Sequence, residues 1–185
     1  MTAEEAVLVV LEELERAQIP YLVVGALAYS AHGIPRSTKD ADFVLVVATS
    51  ELEALFCRLP AAFSVDPQVR MELFTGTFRW ILNITGISFT IELFLLGGDP
   101  HHHEMFKRKR NEKVPFLKRE AWIPSAEDMV IQKLRWARPK DLDDVRNILA
   151  VQGDAIDFEW IERWCARHGT SERLTAIRAS LLPDL

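Results

Sequence analysis

The first thirty-three residues alternate between apolar runs and polar breaks in a pattern that predicts a helix, a strand and a second helix. Residues 2–18 place acids between apolar positions three or four apart, which is typical of an amphipathic helix with acids in its first turn. Pro20 ends this helix, and the apolar run 21–25 predicts a short buried strand. Residues 26–33 predict a short helix that closes at Gly33.

The pattern then returns to a strand and a third helix. Residues 41–47 form a second apolar run, which predicts a buried strand. Residues 50–59 predict a helix with Ser50 as its N-cap, because a Ser side chain accepts a hydrogen bond from the first helical turn. Pro60 and Pro67 bracket a predicted loop.

The next apolar segment predicts a pair of strands. Residues 78–96 divide into two strand-like halves that are joined near Thr85 and Gly86. A basic stretch follows, for which the pattern leaves a helix and a loop open, with the three consecutive histidines 101–103 expected in a loop. A short strand is expected within 113–117.

Helical periodicity dominates the remainder of the chain. Ser125 precedes an apolar-periodic segment and is followed three residues later by Asp128, a start that resembles a capping box. The next two helices are expected to end at Gly153 and Gly169, and a last helix closes the chain. Three tryptophans of this helical region, at positions 136, 160 and 164, have helical core spacing and are expected to pack in the core.

This order of elements predicts an α+β protein. Residues 1–122 would form a mixed β-sheet with flanking helices, and residues 123–185 a C-terminal helical bundle packed on it. A chain of 185 residues has the size of one domain, or of one domain with an appendage.

Charge is unevenly distributed along the chain. The net charge is −5, but residues 101–120 carry seven Lys or Arg against three Glu, so this segment is +4 and the remainder −9. A basic patch on an acidic protein marks either a phosphate or nucleic-acid contact or a solvated helix end, and both alternatives stay open here.

Several classes of protein are excluded by composition. No apolar run reaches the roughly 18 residues of a membrane span, and the first ten residues lack the basic segment of a signal peptide, so a cytoplasmic protein without membrane contact is expected. Cys57 and Cys165 are too few and too far apart for a disulfide framework or a Cys-based zinc site.

The candidate chemistry begins with two acids at the mouth of the second strand. Residues two apart in a strand point to the same face, so Asp40 and Asp42 are expected to project together. Two carboxylates on one face repel each other unless a cation neutralises them, and Mg²⁺ favours oxygen ligands. Asp-x-Asp alone is a weak signal, because most such pairs are loop residues or helix caps.

Two further features strengthen this signal. Glu92 lies on one face of the strand-like segment 87–96 and is a candidate third acid, although an exposed edge position would explain it equally well. Gly25 and Ala26 join a strand directly to a helix, where free backbone N–H groups bind anions, but such junctions are also common without a ligand.

Residues 23–46 resemble the nucleotidyltransferase superfamily that includes DNA polymerase β and the antibiotic nucleotidyltransferases. The shared pattern is a glycine turn, a short helix, and Asp-x-Asp on the next strand. The small bacterial nucleotidyltransferases of the abortive-infection toxin type carry R-x-[ST]-x-D-x-D, which is matched here by Arg36, Thr38, Asp40 and Asp42.

The second half resembles the same branch, and the resemblance spans roughly residues 20–150. There the pattern is an acid, a Lys, then an Arg followed by Lys-Asp and another Asp. The matching residues are Asp128, Lys133, Arg138, Lys140, Asp141 and Asp144.

The resemblance implies a nucleotidyltransferase-like sheet and a metal-dependent enzyme. Asp40, Asp42 and Glu92 would be the catalytic residues and the ligands of two Mg²⁺ ions, with a nucleoside triphosphate (NTP) such as ATP as co-substrate. An acceptor hydroxyl would attack the α-phosphorus, and pyrophosphate would leave. The nucleotide-binding residues would be Gly25, Ala26, Arg36, Thr38, Lys133 and Asp128.

The resemblance leaves several alternatives for the acceptor and for the biological role. The acceptor would be an RNA 3′ end such as that of a tRNA, a protein hydroxyl or a small molecule, and the basic segment favours RNA slightly. The branch also suggests a toxin with a cognate antitoxin. The alternative is an inactive member that binds a nucleotide or a partner, or serves as an antitoxin-like subunit.

The departures from the pattern bear on this alternative. Ala26 lacks the hydroxyl of a Gly-Ser turn, and Glu92 stands where Asp is usual. Other residues also have structural explanations. Lys133 would then be an exposed helix residue and Asp128 a helix cap, and Asp141 and Asp144 would face the positive end of the following helix.

Overall fold

A computed structural model describes residues 1–73 and 76–181, and within these ranges it contains eight α-helices and eight β-strands. The helices are α1 Ala3–Arg16, α2 Gly25–His32, α3 Thr49–Arg58, α4 Pro100–Lys107, α5 Ala126–Trp136, α6 Pro139–Gln152, α7 Phe158–His168 and α8 Ser171–Leu181. The strands are β1 Tyr21–Val24, β2 Asp40–Leu45, β3 Phe63–Val65, β4 Arg70–Glu72, β5 Thr77–Ile84, β6 Thr90–Leu95, β7 Arg110–Val114 and β8 Arg119–Ile123. None of the helices in these ranges is both long enough and apolar enough to cross a bilayer.

Six strands form one mixed sheet, as the sequence predicted. Its order is β1-β2-β6-β5-β3, and β4 also pairs with β5. Among the strand pairs of the described residues, β2–β6 is the only parallel one in this sheet, and the other pairs are antiparallel. Strands β7 and β8 form a separate antiparallel hairpin. The predicted α+β class, with a mixed sheet, flanking helices and a helical C-terminal region, is confirmed.

The two faces of the sheet differ in what covers them. Phe43 and Leu45 point into the main hydrophobic core, which the helices α1, α2, α3 and α5 to α8 complete. On the opposite face, Val44 belongs to a small cluster with Leu22, Val24 and Met105. Because side chains alternate along a strand, Asp40 and Asp42 of β2 share the face of Val44. Helix α4 covers only part of this face, so the acids lie beside an open cleft.

Several predicted ends and elements are corrected by the structure. Helix α3 begins at Thr49 rather than after Ser50, and the Glu51 side chain accepts a hydrogen bond from the Ala48 N–H (3.0 Å). The loop expected between the two prolines contains β3, because Phe63 to Val65 pair with β5. Strands β4 and β8 had no clear pattern in the sequence, since both are short and half exposed.

The histidines 101–103 lie in helix α4, not in the expected loop. Asp99 caps this helix by accepting a hydrogen bond from the His102 N–H (3.0 Å), and Pro100 occupies its first position. Both features favour a helix start. The histidine triplet concealed this start because it has no helical periodicity of its own.

The C-terminal helices follow the prediction closely. Ser125 accepts a hydrogen bond from the Asp128 N–H (3.3 Å) at the start of α5, and α6 and α7 end directly before Gly153 and Gly169. Helix α5 packs on α6 and α7, and both α5 and α6 also contact α2 of the sheet region. The division of the chain near residue 122 remains a prediction.

Candidate active site

The three predicted carboxylates lie in one cleft at the parallel pair of strands. Asp42 of β2 is in register with Glu92 of β6, and Asp40 is in register with Thr90. The side chains of Asp40, Asp42 and Glu92 all line a cavity of about 380 Å³. The pairing of β2 with β6, which are separated by more than forty residues in sequence, therefore assembles the acids.

The glycine turn approaches this group directly. Gly25 follows β1, has a φ of +62°, and a Cβ atom at this position would lie 2.0 Å from Asp42 Oδ2. Only glycine fits here without displacing the carboxylate. No side chain caps the start of α2, so the N–H groups of its first turn are available to an anion in the cleft.

The three acids interact electrostatically. Burial and the charges of Asp40 and Glu92 raise the pKa of Asp42 to about 7, while Arg79 and Lys140 oppose this shift. Thr38 donates a hydrogen bond from its hydroxyl to Asp40 Oδ1 (2.5 Å). An acid of this kind stays partly protonated at neutral pH unless a cation binds beside it.

Arg79 provides such a cation for the third acid. Its guanidinium donates a hydrogen bond to Glu92 (2.7 Å) and lies 5.7 Å from the centre of the Phe94 ring. In the described ranges, no three His, Cys, Asp or Glu side chains converge as a preformed metal-binding group. The donor set is nevertheless composed of carboxylate oxygens, which fits Mg²⁺ better than a softer metal.

Lys133 lines the cleft but is buried and paired. Its ammonium lies 2.5 Å from Asp144 Oδ2 and 3.8 Å from Asp141 Oδ1, and burial lowers its pKa. Arg36 holds the same Asp144 through two hydrogen bonds of 3.0 and 2.9 Å. Burial alone would raise the pKa of Asp144, but the hydrogen bonds from Arg36 and Lys133 lower it overall. Asp144 therefore positions two of the predicted nucleotide-binding cations.

The start of α6 contributes two more cations to the cleft. Arg138 lies at its lip and donates a hydrogen bond to Asp141 Oδ2 (2.6 Å). Lys140 is exposed, lines the cleft, and forms no ion pair with any residue in the described ranges. Lys140 is therefore the cation that can move most freely toward a bound phosphate.

Asp128 does not reach the cleft, which contradicts its predicted placement in the nucleotide site. The side chain is fully buried, and it accepts hydrogen bonds from Trp160 Nε1 (2.9 Å) and Ser125 Oγ (3.0 Å). It also contacts His101 Nε2 at 3.1 Å and Arg108 at 3.4 Å. These contacts link helices α4, α5 and α7, so Asp128 contributes to the packing of these helices.

The basic segment is largely neutralised by the protein itself. Four of its seven basic side chains form ion pairs: Lys107 with Glu104, Arg108 with Glu127 and Asp128, Lys118 with Glu4, and Arg119 with Glu15. Lys109 lies over the Phe106 and Trp122 rings. This segment therefore offers less free positive charge to RNA than its composition suggested.

Several side chains in the cleft were not among the predicted site residues. Arg79 was not predicted because one sequence does not show its register with Phe94, which places it on the same face of the sheet as the acids. His102 and Gln132 were also missed, the former because it was assigned to a loop. Trp136 is only half buried and lines the cleft, whereas Trp164 is packed in the core as predicted.

Comparison with known proteins identifies the fold but no close sequence relative. No protein-family model and no curated protein matches the chain. The antibiotic-resistance factor ANT(2'')-Ia, also solved in complex with adenylyl-2''-tobramycin, aligns with a TM-score of 0.61 and 15% identity over 96% of this chain and 95% of its own.

Two further structures agree with this comparison. An antigenic nucleotidyltransferase-like protein from Paracoccidioides brasiliensis aligns with a TM-score of 0.53 and 14% identity, over 96% of this chain and 94% of its own. The lincosamide antibiotic adenylyltransferase LnuA, solved with lincomycin, aligns with a TM-score of 0.53 and 10% identity, over 81% of this chain and 98% of its own. The match extends over nearly the whole length of each protein, and the chain therefore has the nucleotidyltransferase fold.

Proposed function

We propose that the protein transfers a nucleoside monophosphate from an NTP to an acceptor hydroxyl and releases pyrophosphate. The observation that carries this proposal is the convergence of Asp40, Asp42 and Glu92 in one cleft, with the Gly25 turn beside Asp42 and basic side chains opposite. Three carboxylates that line one cleft repel one another unless cations neutralise them, and anion-binding groups in the same cleft suit a metal–triphosphate.

Asp40, Asp42 and Glu92 are the residues that would hold two Mg²⁺ ions, as the donor set suggests. Bound Mg²⁺ would stabilise the negative charge that develops on the transferring phosphoryl group. Glu92 would also accept the proton of the attacking hydroxyl. The oxygen of that hydroxyl forms a bond to the α-phosphorus, the bond between this phosphorus and the bridging oxygen breaks, and pyrophosphate leaves with that oxygen.

The phosphate chain would be bound by the protein's own donors and cations. The N–H groups at the start of α2, at Gly25 and Ala26, suit a phosphate oxygen. Lys133 and Arg36 are held beside them by Asp144, and Lys140 is free to approach the leaving pyrophosphate. Because Thr38 is already bonded to Asp40, its role would be to orient that carboxylate.

The nature of the acceptor is the finer part of the proposal. ANT(2'')-Ia and LnuA are described with tobramycin and lincomycin products or ligands, which favours a small-molecule hydroxyl. The pairing of the basic segment within the protein weakens the case for an RNA acceptor such as a tRNA. A protein hydroxyl, and a cytoplasmic toxin that is controlled by an antitoxin, stay predictions from the sequence resemblance.

A second function is favoured by one contact. Arg79 forms an ion pair with Glu92. While this pair persists, Glu92 is not available to a metal ion, and the protein would bind a nucleotide without transferring the nucleoside monophosphate. Such a protein would be a nucleotide-dependent binding module or an antitoxin-like subunit. Binding and transfer therefore need to be measured separately.

The test is a transfer assay with each α-³²P-labelled NTP, Mg²⁺, and a panel of acceptors containing aminoglycosides, lincosamides, total RNA and cell lysate. We expect label to move to one acceptor class with the wild-type protein and to be lost in Asp42→Asn and Asp40→Asn. The matched control is Asp143→Asn, because Asp143 is exposed and contacts only Arg146.

The outcomes separate the two functions. Transfer that persists in Asp42→Asn would refute the proposed site. NTP binding without transfer to any acceptor would favour the binding module, and absence of NTP binding would refute both functions. For the toxin prediction, expression in bacteria should arrest growth with the wild-type chain but not with Asp42→Asn.

A further inference from the structure

The lining of the cleft continues past the acids with several apolar side chains. On the face that carries Asp42 and Glu92, the next pair in register is Val44 with Phe94. Met105 of α4 packs on Val44, and Met129 of α5 also lines the cavity. We define the inner end of the cleft by six residues: Val44, Phe94, Met105, Met129, His102 and Gln132.

The inner end contains one buried polar group that lacks a partner. His102 is 6% exposed and lines the cleft, and its Nδ1 atom makes no hydrogen bond to any residue in the described ranges. A buried ring nitrogen without a partner is costly in an empty protein. Because His102 lines the cleft, a ligand bound there can supply the missing hydrogen bond.

The neighbouring glutamine determines which kind of hydrogen bond is missing. The Gln132 Oε1 atom accepts a hydrogen bond from Arg135 (3.1 Å), so its amide NH₂ end faces His102 Nε2, which it contacts. With the amide in this orientation, Nε2 accepts the hydrogen bond and the ring proton is assigned to Nδ1. Burial lowers the pKa of His102 to about 4, so the ring is neutral at physiological pH. The free Nδ1–H group is therefore a donor that requires an acceptor.

We propose that the inner end of the cleft binds the nucleobase of the NTP, and that His102 Nδ1–H donates a hydrogen bond to a ring nitrogen or carbonyl oxygen of that base. This inference rests on the proposed nucleotidyl transfer and goes beyond it by assigning the base-recognition residues. Gln132 is the positioning residue, because it holds the tautomer that leaves Nδ1 protonated.

The chemistry of the inner end favours a base over an acceptor. At neutral pH none of its six side chains carries a charge. Beside them, Glu72 also lines the cleft and acts on His102, and Arg79, over the Phe94 ring, is paired with Glu92. An uncharged ligand therefore suits these six residues better than a polycationic antibiotic or an RNA backbone. A nucleobase is flat and uncharged, it stacks well on Phe and packs against Met, and its edge carries hydrogen-bond acceptors. Of the five cations of the cleft, four come from α5, the start of α6 and the segment before β2, which suits the phosphate chain, and the fifth, Arg79 of β5, is paired with Glu92.

The test compares binding of NTPs with binding of inorganic tripolyphosphate, which has the same phosphate chain but no base. Both affinities are measured by calorimetry with Mg²⁺ for the wild-type protein, His102→Ala, Gln132→Leu and the control His103→Ala. His103 is the adjacent residue on α4, but it is exposed. Thermal unfolding of each variant verifies folding.

We expect His102→Ala to weaken binding of the preferred NTP about tenfold, because the variant loses one buried hydrogen bond and the packing of the imidazole ring. Tripolyphosphate binding should change less than about twofold. Gln132→Leu should weaken NTP binding in the same direction and reduce discrimination among the four bases. His103→Ala should match the wild type for both ligands.

Two results for His102→Ala would overturn the inference: an equal loss of the NTP and tripolyphosphate affinities, and no loss of either. A wild-type protein that binds tripolyphosphate as tightly as any NTP would also overturn it, without affecting the phosphate site. A wild-type protein that binds neither ligand would instead refute the proposed function.

Discussion

Replacing Asp42 by Asn should stabilise the ligand-free protein at pH 8. The pKa of this carboxyl rises from its ordinary value of 3.8 to about 7 in the folded state, because of burial and the charges of Asp40 and Glu92. At pH 8 the folded protein must therefore ionise an acid that the fold disfavours. An Asn of the same shape carries no charge and removes this cost.

The size of the effect follows from the two pKa values. A difference of about three pH units between the folded and unfolded states corresponds to about 4 kcal/mol. Asp42 borders an open cleft, where water and counterions reduce the cost. We therefore expect a gain in unfolding free energy of about 1–2 kcal/mol, or about 2–8 °C in Tm for a chain of this length.

The dependence on pH has a defined sign. Since the folded pKa of Asp42 is above the unfolded value, protonated Asp42 favours the fold below about pH 4, and this advantage is lost as pH rises through about 7. The gain from Asp42→Asn should therefore shrink to less than half at pH 5. Mg²⁺ at pH 8 should stabilise the wild-type protein but not the variant.

Thermal and chemical unfolding at pH 5 and pH 8, with and without Mg²⁺, measure these differences. The control is Asp143→Asn, which should change nothing, because Asp143 is 68% exposed and its one ion pair within the described ranges is with Arg146. A variant that is less stable than the wild type at pH 8, or a gain that is equal at both pH values, would show that the three acids do not repel one another as described.

Three further predictions concern the surroundings of the acids. Gly25→Ala should abolish tripolyphosphate binding in calorimetry and cost about 1–3 kcal/mol, because the new Cβ would lie 2.0 Å from Asp42 Oδ2 at a positive φ; unchanged binding would contradict this. Asp144→Ala should lower the unfolding free energy by about 3 kcal/mol in a denaturant titration, since it removes the nearer of the two acids that pair with the buried Lys133 and leaves only Asp141 at 3.8 Å. Arg79→Gln should lower the Mg²⁺ concentration for half-maximal thermal stabilisation about two- to fivefold, because it frees the third carboxylate.

The acid pair and the glycine turn could be predicted because both depend on local geometry. Asp40 and Asp42 share a face in any strand, and Gly25 follows β1 directly in sequence. Glu92 could be proposed from its own strand, but its position opposite Asp42 depends on the pairing of β2 with β6. One sequence does not specify that register.

The ion pairs of the cleft could not be predicted, for the same physical reason. Arg36 and Asp144 are 108 residues apart and meet only because α6 packs against the sheet region. Lys133 has the spacing of an exposed helix lysine, and only the packing of α5 and α6 shows that it is 2% exposed. Asp128 matches the sequence pattern of the nucleotidyltransferase branch that the chain resembles, but it does not line the cleft, because its carboxylate is bonded to side chains of α4 and α7.

The charges around the cleft explain why divalent cations would be needed for its proposed activity. Among the described residues, five acids line it, Asp40, Asp42, Glu72, Glu92 and Asp141, and five cations, Arg36, Arg79, Lys133, Arg138 and Lys140. Their formal charges cancel, so the empty cleft is neutral overall. A nucleoside triphosphate brings about four negative charges at neutral pH, which this lining does not compensate. Two Mg²⁺ ions, which Asp40, Asp42 and Glu92 would hold, would supply about as many positive charges. The cations of the protein therefore neutralise the acids in the absence of a ligand. A bound metal–triphosphate would take over part of this neutralisation.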